Sequence, residues 1–144
     1  MKKFNSGFTL IELLVVIAII GILAAIAIAF FYHVNLTKAK LFEVENAMAT
    51  VKGAVSTFRK ENQYWPNCPT TVEIQTSLGV GLASISRISA LSTVNGIITA
   101  TIQNVHISVN GETLTLTPTL SADGSFSWAW SWSAGFPEFL KPRS

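Results

Sequence analysis

Cysteine, histidine, charge and proline are all scarce in this chain, and each scarcity removes a class of function. Cys68 is the one cysteine in 144 residues, so no disulfide can close within a chain. The two histidines, His33 and His106, fall on different predicted elements, and no Cys or His spacing suits a metal ion. His106, on a polar strand face, reads as a solvated side chain and not as a ligand or base. Charged residues make up 12% of the chain, about half the usual quarter, and 10 basic against 8 acidic side chains, two of the basic ones at Lys2 and Lys3, leave no basic patch for nucleic acid. Gly79-Val80-Gly81 is too short and follows no strand, so no phosphate loop is present. Glu43 and Glu45 stand two apart, on different sides of a helix, and cannot work as paired carboxylates. No active site and no cofactor are expected. Proline is missing from Thr9 through Gln63, which leaves room for one long helix.

What is present begins with an apolar run. From Leu13 to Phe31 there is no polar side chain. Leu10 to Phe31 spans about 33 Å as a helix, enough to cross a hydrocarbon core of roughly 30 Å. One charge, Glu12, sits just inside the run, where an ionised carboxylate costs several kcal/mol as a rough scale unless a cation meets it. A secretory signal peptide would place its cleavage site after the apolar run, whereas here Gly7 precedes it. A plain single-span anchor fits the hydropathy but gives no reason for Glu12.

The order of features is specific: Lys2 and Lys3, then Gly7, then Phe8-Thr9-Leu10-Ile11-Glu12 opening the helix. It resembles the signature of the type IV prepilins. The resemblance implies that a prepilin peptidase cuts after Gly7 and N-methylates Phe8, and that Phe8 and Glu12 act in assembly. The chain departs from the family at Ala29, where a proline is usual, while Gly21 is retained. That departure leaves no basis for carrying over an unravelling of the helix in the filament. Relatives often close a C-terminal loop with a disulfide, which a single cysteine cannot form, and Cys68 reads as a free thiol ahead of an intermolecular bridge.

Losing Lys2 and Lys3 from 10 basic residues leaves 8 against 8 acidic, a zero balance that suits self-association. The same lysines hold the amino end in the cytoplasm by the positive-inside rule, and residues beyond about Tyr32 go outward. Leu41, Val44, Met48, Val51, Val55 and Phe58 form one stripe at helical spacing. Asn35-Leu36-Thr37 spells a glycosylation sequon, read as chance at a helical position beside the membrane. Two prolines in Tyr64-Trp65-Pro66-Asn67-Cys68-Pro69 end the helix, with Tyr64 and Trp65 covering the end of the stripe. Thr70-x-x-Glu73 is a capping box for a short helix stopping near Gly79.

Asn95-Gly96, Asn110-Gly111 and Asp123-Gly124 are turn signals between alternating runs. Strands are expected over Ile98–Ile102, over Val105–Val109, over Leu114 and Leu116 up to an end or an edge at Pro118, and over Ser125–Ser133. Phe126, Trp128, Trp130 and Trp132 share one strand face, expected as core on the helix stripe, with Trp132 reaching the surface first. VNGIITATI, GETLTLTPTL and the tryptophan-rich strand resemble, in order, the sheet of type IVa pilin heads, and favour a pilin over a type II secretion pseudopilin.

The expectation is an α+β fold, a long N-terminal helix packed on a C-terminal antiparallel sheet. Residues 1–7 are the leader, 8–35 the transmembrane and filament-core helix, and 36–144 the globular head. The implied protein is a structural subunit of a type IV pilus, held first in the inner membrane. Prepilin peptidase processes it, and the pilus assembly machinery polymerises it into a homo-oligomeric surface filament. Two alternatives stand beside it: a minor pilin or secretion pseudopilin, and a membrane-tethered periplasmic binding module using Trp128, Trp130 and Trp132 as a ligand platform.

Overall fold

The computed structural model describes residues 8–82 and 85–141. Helix α1 runs unbroken from Leu10 to Asn62, as a proline-free stretch with Ala29 in its interior allows. It crosses the boundary between two compact units, one ending at Leu36 and the other starting at Thr37. In the first unit every side chain from Phe8 to His33 is exposed, apolar ones included.

In the second unit α1 becomes one-sided. Thr37, Leu41, Val44, Ala47, Met48, Val51 and Val55 are buried, which is the expected stripe widened by two small or polar residues. Phe58 is half-buried and is met edge-to-face by Tyr64 at 5.3 Å. Gln63 turns left-handed, φ 65°, and stops the helix. Trp65 then lies under the Arg59 guanidinium, 5.5 Å from its ring centre, and against Phe126 and Trp128. Helix α2, Thr71–Leu78, has the full capping box of Thr70 and Glu73, and Gly79 closes it in the left-handed region.

The sheet has four strands in sequential antiparallel order: β1 (Ile88–Val94), β2 (Ile97–Ile102), β3 (Thr113–Leu120) and β4 (Phe126–Trp132). Register puts one face together. Leu91 faces Ala100 and Thr93 faces Ile98; these meet Leu114 and Leu116, which meet Trp132 and Trp130. All of that face is buried except the tryptophans. The ladder between β2 and β3 ends at Ile98↔Leu116, so at Pro118 strand β3 has a neighbour only in β4. That is the edge position a residue without N–H requires. The outer edge of β1 is covered, since Cys68 and Thr93 exchange backbone bonds of 2.7 and 2.8 Å and Thr71 Oγ1 accepts from Leu91 N–H.

Two sequence expectations change. Residues 105–109 form no strand: Val105 and Val109 are buried, Ile107 is 89% exposed, and the segment is a tight turn. Asn104, φ 54°, turns the chain, and Asn110 Oδ1 takes the Val105 N–H that a ladder would have used. The aromatic face of β4 is on the core side, as expected, but Phe126, Trp128, Trp130 and Trp132 are all half-buried. The cause is position, because β4 is the last strand of the sheet and, among the described residues, no strand pairs with its far edge.

The Asn95-Gly96 turn carries positive φ at both residues, and Trp65 lies so close that a Cβ on Gly96 would sit 2.5 Å from its ring. Gly111, φ +87°, has open space at the same position. Gly96→Ala should therefore destabilise the head by about 2–4 kcal/mol, combining left-handed strain with overpacking. Gly111→Ala should cost only the strain, about 1–2 kcal/mol. Urea melts of the head beginning at residue 36 measure both, and equal losses would show that Trp65 simply moves aside.

Candidate functional site

The amino end of α1 is a second capping box. Thr9 is the residue before the helix and Glu12 lies three residues on, so each can bond the other's backbone. Glu12 N–H donates to Thr9 Oγ1 at 3.3 Å. The Glu12 carboxylate reaches back, and its Oε2 accepts from Thr9 N–H at 3.1 Å and from Thr9 Oγ–H at 2.8 Å. Glu12 also stands in the first turn, where the helix dipole favours negative charge. Both donors fall on one carboxylate oxygen, and among the described residues Oε1 accepts no hydrogen bond. Phe8, one residue ahead of Thr9, is 76% exposed. Gly7 lies outside the described residues, as do Lys2 and Lys3. Glu12 and Thr9 are thus brought together, and Phe8 is placed beside them in sequence. Sequence reading missed Thr9, although Thr9-x-x-Glu12 repeats the pattern recognised at Thr70-x-x-Glu73.

Among the described residues this carboxylate opens the one helix long and apolar enough to cross a membrane. From Leu13 to Phe31 the exposed surface is, apart from Gly21, leucine, isoleucine, valine, alanine and phenylalanine on every side of the helix. An all-round apolar helix is stable only within lipid or among other helices.

Other candidates offer less chemistry. Among the described residues no three of His, Cys, Asp and Glu come together as a metal-binding group. His106 Nδ1 is occupied by Ser108, through its hydroxyl at 2.8 Å and its N–H at 3.2 Å. Cys68 is buried, and burial, helped by the Glu73 carboxylate, holds its thiol above the ordinary range. Trp130 and Trp132 stack on each other with ring centres 6.2 Å apart, and Phe136 lies 5.0 Å from Trp132. The stack covers one face of each indole.

Two family models match the chain. A prokaryotic N-terminal methylation motif covers residues 2–28, and the pilin (bacterial filament) model covers residues 37–140. Among similar proteins, the fimbrial protein EcpC of Eikenella corrodens is 40% identical over 116 residues, covering 79% of this chain and 74% of its own. The type IV major pilin protein PilE of Neisseria gonorrhoeae is 32% identical over 117 residues, covering 80% and 68%. The type IV major fimbrial protein FimA of Dichelobacter nodosus is 38% identical over 68 residues, covering 47% and 43%.

The cap makes a local prediction. Thr9→Val removes the hydroxyl that both accepts from Glu12 N–H and donates to its carboxylate, a loss of about 1 kcal/mol for a helix cap. Amide exchange at Glu12 in micelles should then quicken about fivefold, while Thr9→Ser leaves it near the original rate. Unchanged exchange in Thr9→Val would mean that the first turn is held by something else.

Proposed function

The chain belongs to the type IV pilin family and is a structural subunit of a type IV pilus, and from that premise we propose how its amino end is processed and used. Residues 1–7 are a leader, kept in the cytoplasm by Lys2 and Lys3 while residues 8–35 cross the inner membrane. Prepilin peptidase removes the leader after Gly7 and methylates the new amine of Phe8. Assembly machinery then moves the subunit from lipid into a filament, where residues 8–35 form the core and residues 36–144 the outer surface. The protein acts by packing and not by catalysis.

The observation that carries this reading is α1 itself, exposed and apolar through its first unit with one carboxylate at its head. Lipid tails and neighbouring helices are similar solvents for leucine and isoleucine, so apolar surface alone cannot fix how far one subunit is set against the next. A polar pair can. Glu12 keeps one carboxylate oxygen clear of Thr9, and a methylated amine remains a cation. The Phe8 amine of a neighbouring copy then supplies the charge that a carboxylate among apolar side chains requires. Leader removal creates that amine, which ties competence for assembly to cleavage. The pilin model's span over residues 37–140 and the names of the similar proteins favour a pilus subunit over a secretion pseudopilin.

Two measurements test the reading. Intact mass of the subunit from sheared surface fibres should begin at Phe8 with one added methyl, and fibres built from chains beginning at Met1 would refute the processing step. Glu12→Ala should insert into the membrane at least as readily, since it removes a costly charge. Its fibre yield should fall sharply, and a wild-type yield would remove Glu12 from any role in setting register.

A further inference from the structure

We propose that the head carries both halves of one contact between copies. Ile107, on a loop at one flank of α1, seats between Phe42 and Phe139 in a groove of mixed apolar and charged lining on the opposite flank of a second copy. The proposal rests on the reading of the chain as a filament subunit and names the head surfaces that subunit uses.

Ile107 is 89% exposed, more than any other large apolar side chain among the described residues. It is also held rigidly. Val109 N–H and Asn110 N–H both donate to the His106 carbonyl, at 3.0 and 2.9 Å, closing the turn around it. Val105 and Val109, buried on either side, anchor the loop in the core. Lys40 Nζ donates to the Val105 carbonyl at 3.2 Å, and Arg87 bridges the Asn104 carbonyl, at 2.6 Å, and Glu43, at 3.3 Å. A turn so tied presents its tip at little further entropic cost on binding.

The groove is an open cavity of about 780 Å³ between α1 and the 3-10 turn Glu138–Leu140. Leu41 and Leu140 line it and are buried, while Phe42 and Phe139 line it and stand 61% and 59% exposed. Exposed aromatic rings over a buried aliphatic floor are what an inserted side chain can fill. The charged lining is balanced, Lys38 and Lys141 against Glu45 and Glu138. Residues 103–111 carry no Lys, Arg, Asp or Glu, so the tip brings no unpaired charge into the groove.

Position makes the two halves parts of one contact. Lys40, which holds the loop, and Phe42, in the groove, are two residues apart, so they differ by about 3 Å along the helix and by about 160° around it. Knob and groove therefore lie at one level on opposite flanks. Two different surfaces cannot close on themselves as a symmetric dimer does. Repeated between copies set side by side with their helices parallel, the contact propagates into a ring or an open helical filament.

The test uses the full-length chain in cells that assemble it. Ile107→Cys with Phe139→Cys should give fibres whose oxidised subunits run as a covalent ladder, while each single variant runs as monomer. Ile107→Asp, at a fully solvated position, should leave precursor levels unchanged and cut sheared-fibre yield at least tenfold. Fibres of the paired variant that stay monomeric after oxidation overturn the contact and leave the subunit reading standing. Dimers from Ile107→Cys alone also overturn it, since two loops would then be meeting each other. If the cysteine pair is not incorporated, Ile107→Asp decides alone, and a wild-type yield refutes the contact. Absence of sheared fibres from the wild-type chain would instead refute the subunit reading, and this contact with it.

Discussion

Everything in this chain answers to the apolar surface of α1 between Leu10 and Phe31. Burial of a leucine or isoleucine side chain is worth about 1.5–3 kcal/mol relative to water, and this stretch exposes such side chains around its whole circumference. Within its own unit nothing covers it, since every described side chain from Phe8 to His33 is exposed. In the proposed assembly this surface passes from one apolar environment, lipid, to another, the packed helices of neighbouring copies. The polar group that marks its start is satisfied within a single subunit by Thr9, and under the proposed assembly it needs a partner in the filament as well.

The same helix solves a different problem further on. From Thr37 its apolar residues narrow to one stripe, and the sheet needs only one apolar partner face. Covering is uneven. Leu114 and Leu116, in the third strand, are fully buried, while the tryptophans opposite them in the last strand are half-covered. Bulk compensates in part: stacked indoles and Phe136 shield one another where the helix does not. The first strand has its edge closed by backbone bonds from Cys68, and so the two edges of the sheet are finished by different means.

Most of this was legible. The long helix, its stripe, the capping box at Thr70, the Asn-Gly and Asp-Gly turns and the aromatic alternation of β4 all follow from local rules with strong signals. Residues 105–109 misled because alternation of valine, isoleucine and valine fits a strand as well as a turn with two buried anchors. What decides is tertiary: Lys40 and Arg87 hold the loop from outside it. Strand β1 carries a weak signal in sequence, since its burial is irregular and a bulge lies between Ile88 and Ala90. At the amino end the carboxylate is conspicuous by its cost, whereas the Thr9 hydroxyl that satisfies it is marked only by its spacing three residues ahead.

The solitary cysteine has a consequence for where and when the head can fold. Its C-terminal segment is held by Glu112 bonded to Ser133 and by the buried side chains of Phe136 and Leu140, none of which involves sulfur. Folding of the head therefore waits for no oxidase and no disulfide isomerase, and its stability is indifferent to the redox poise of the compartment it enters. The thiol, buried and kept protonated, is also a poor nucleophile toward oxidants. A fibre of such subunits can stand outside a cell through swings between oxic and reducing conditions without a bond in its head being made or broken.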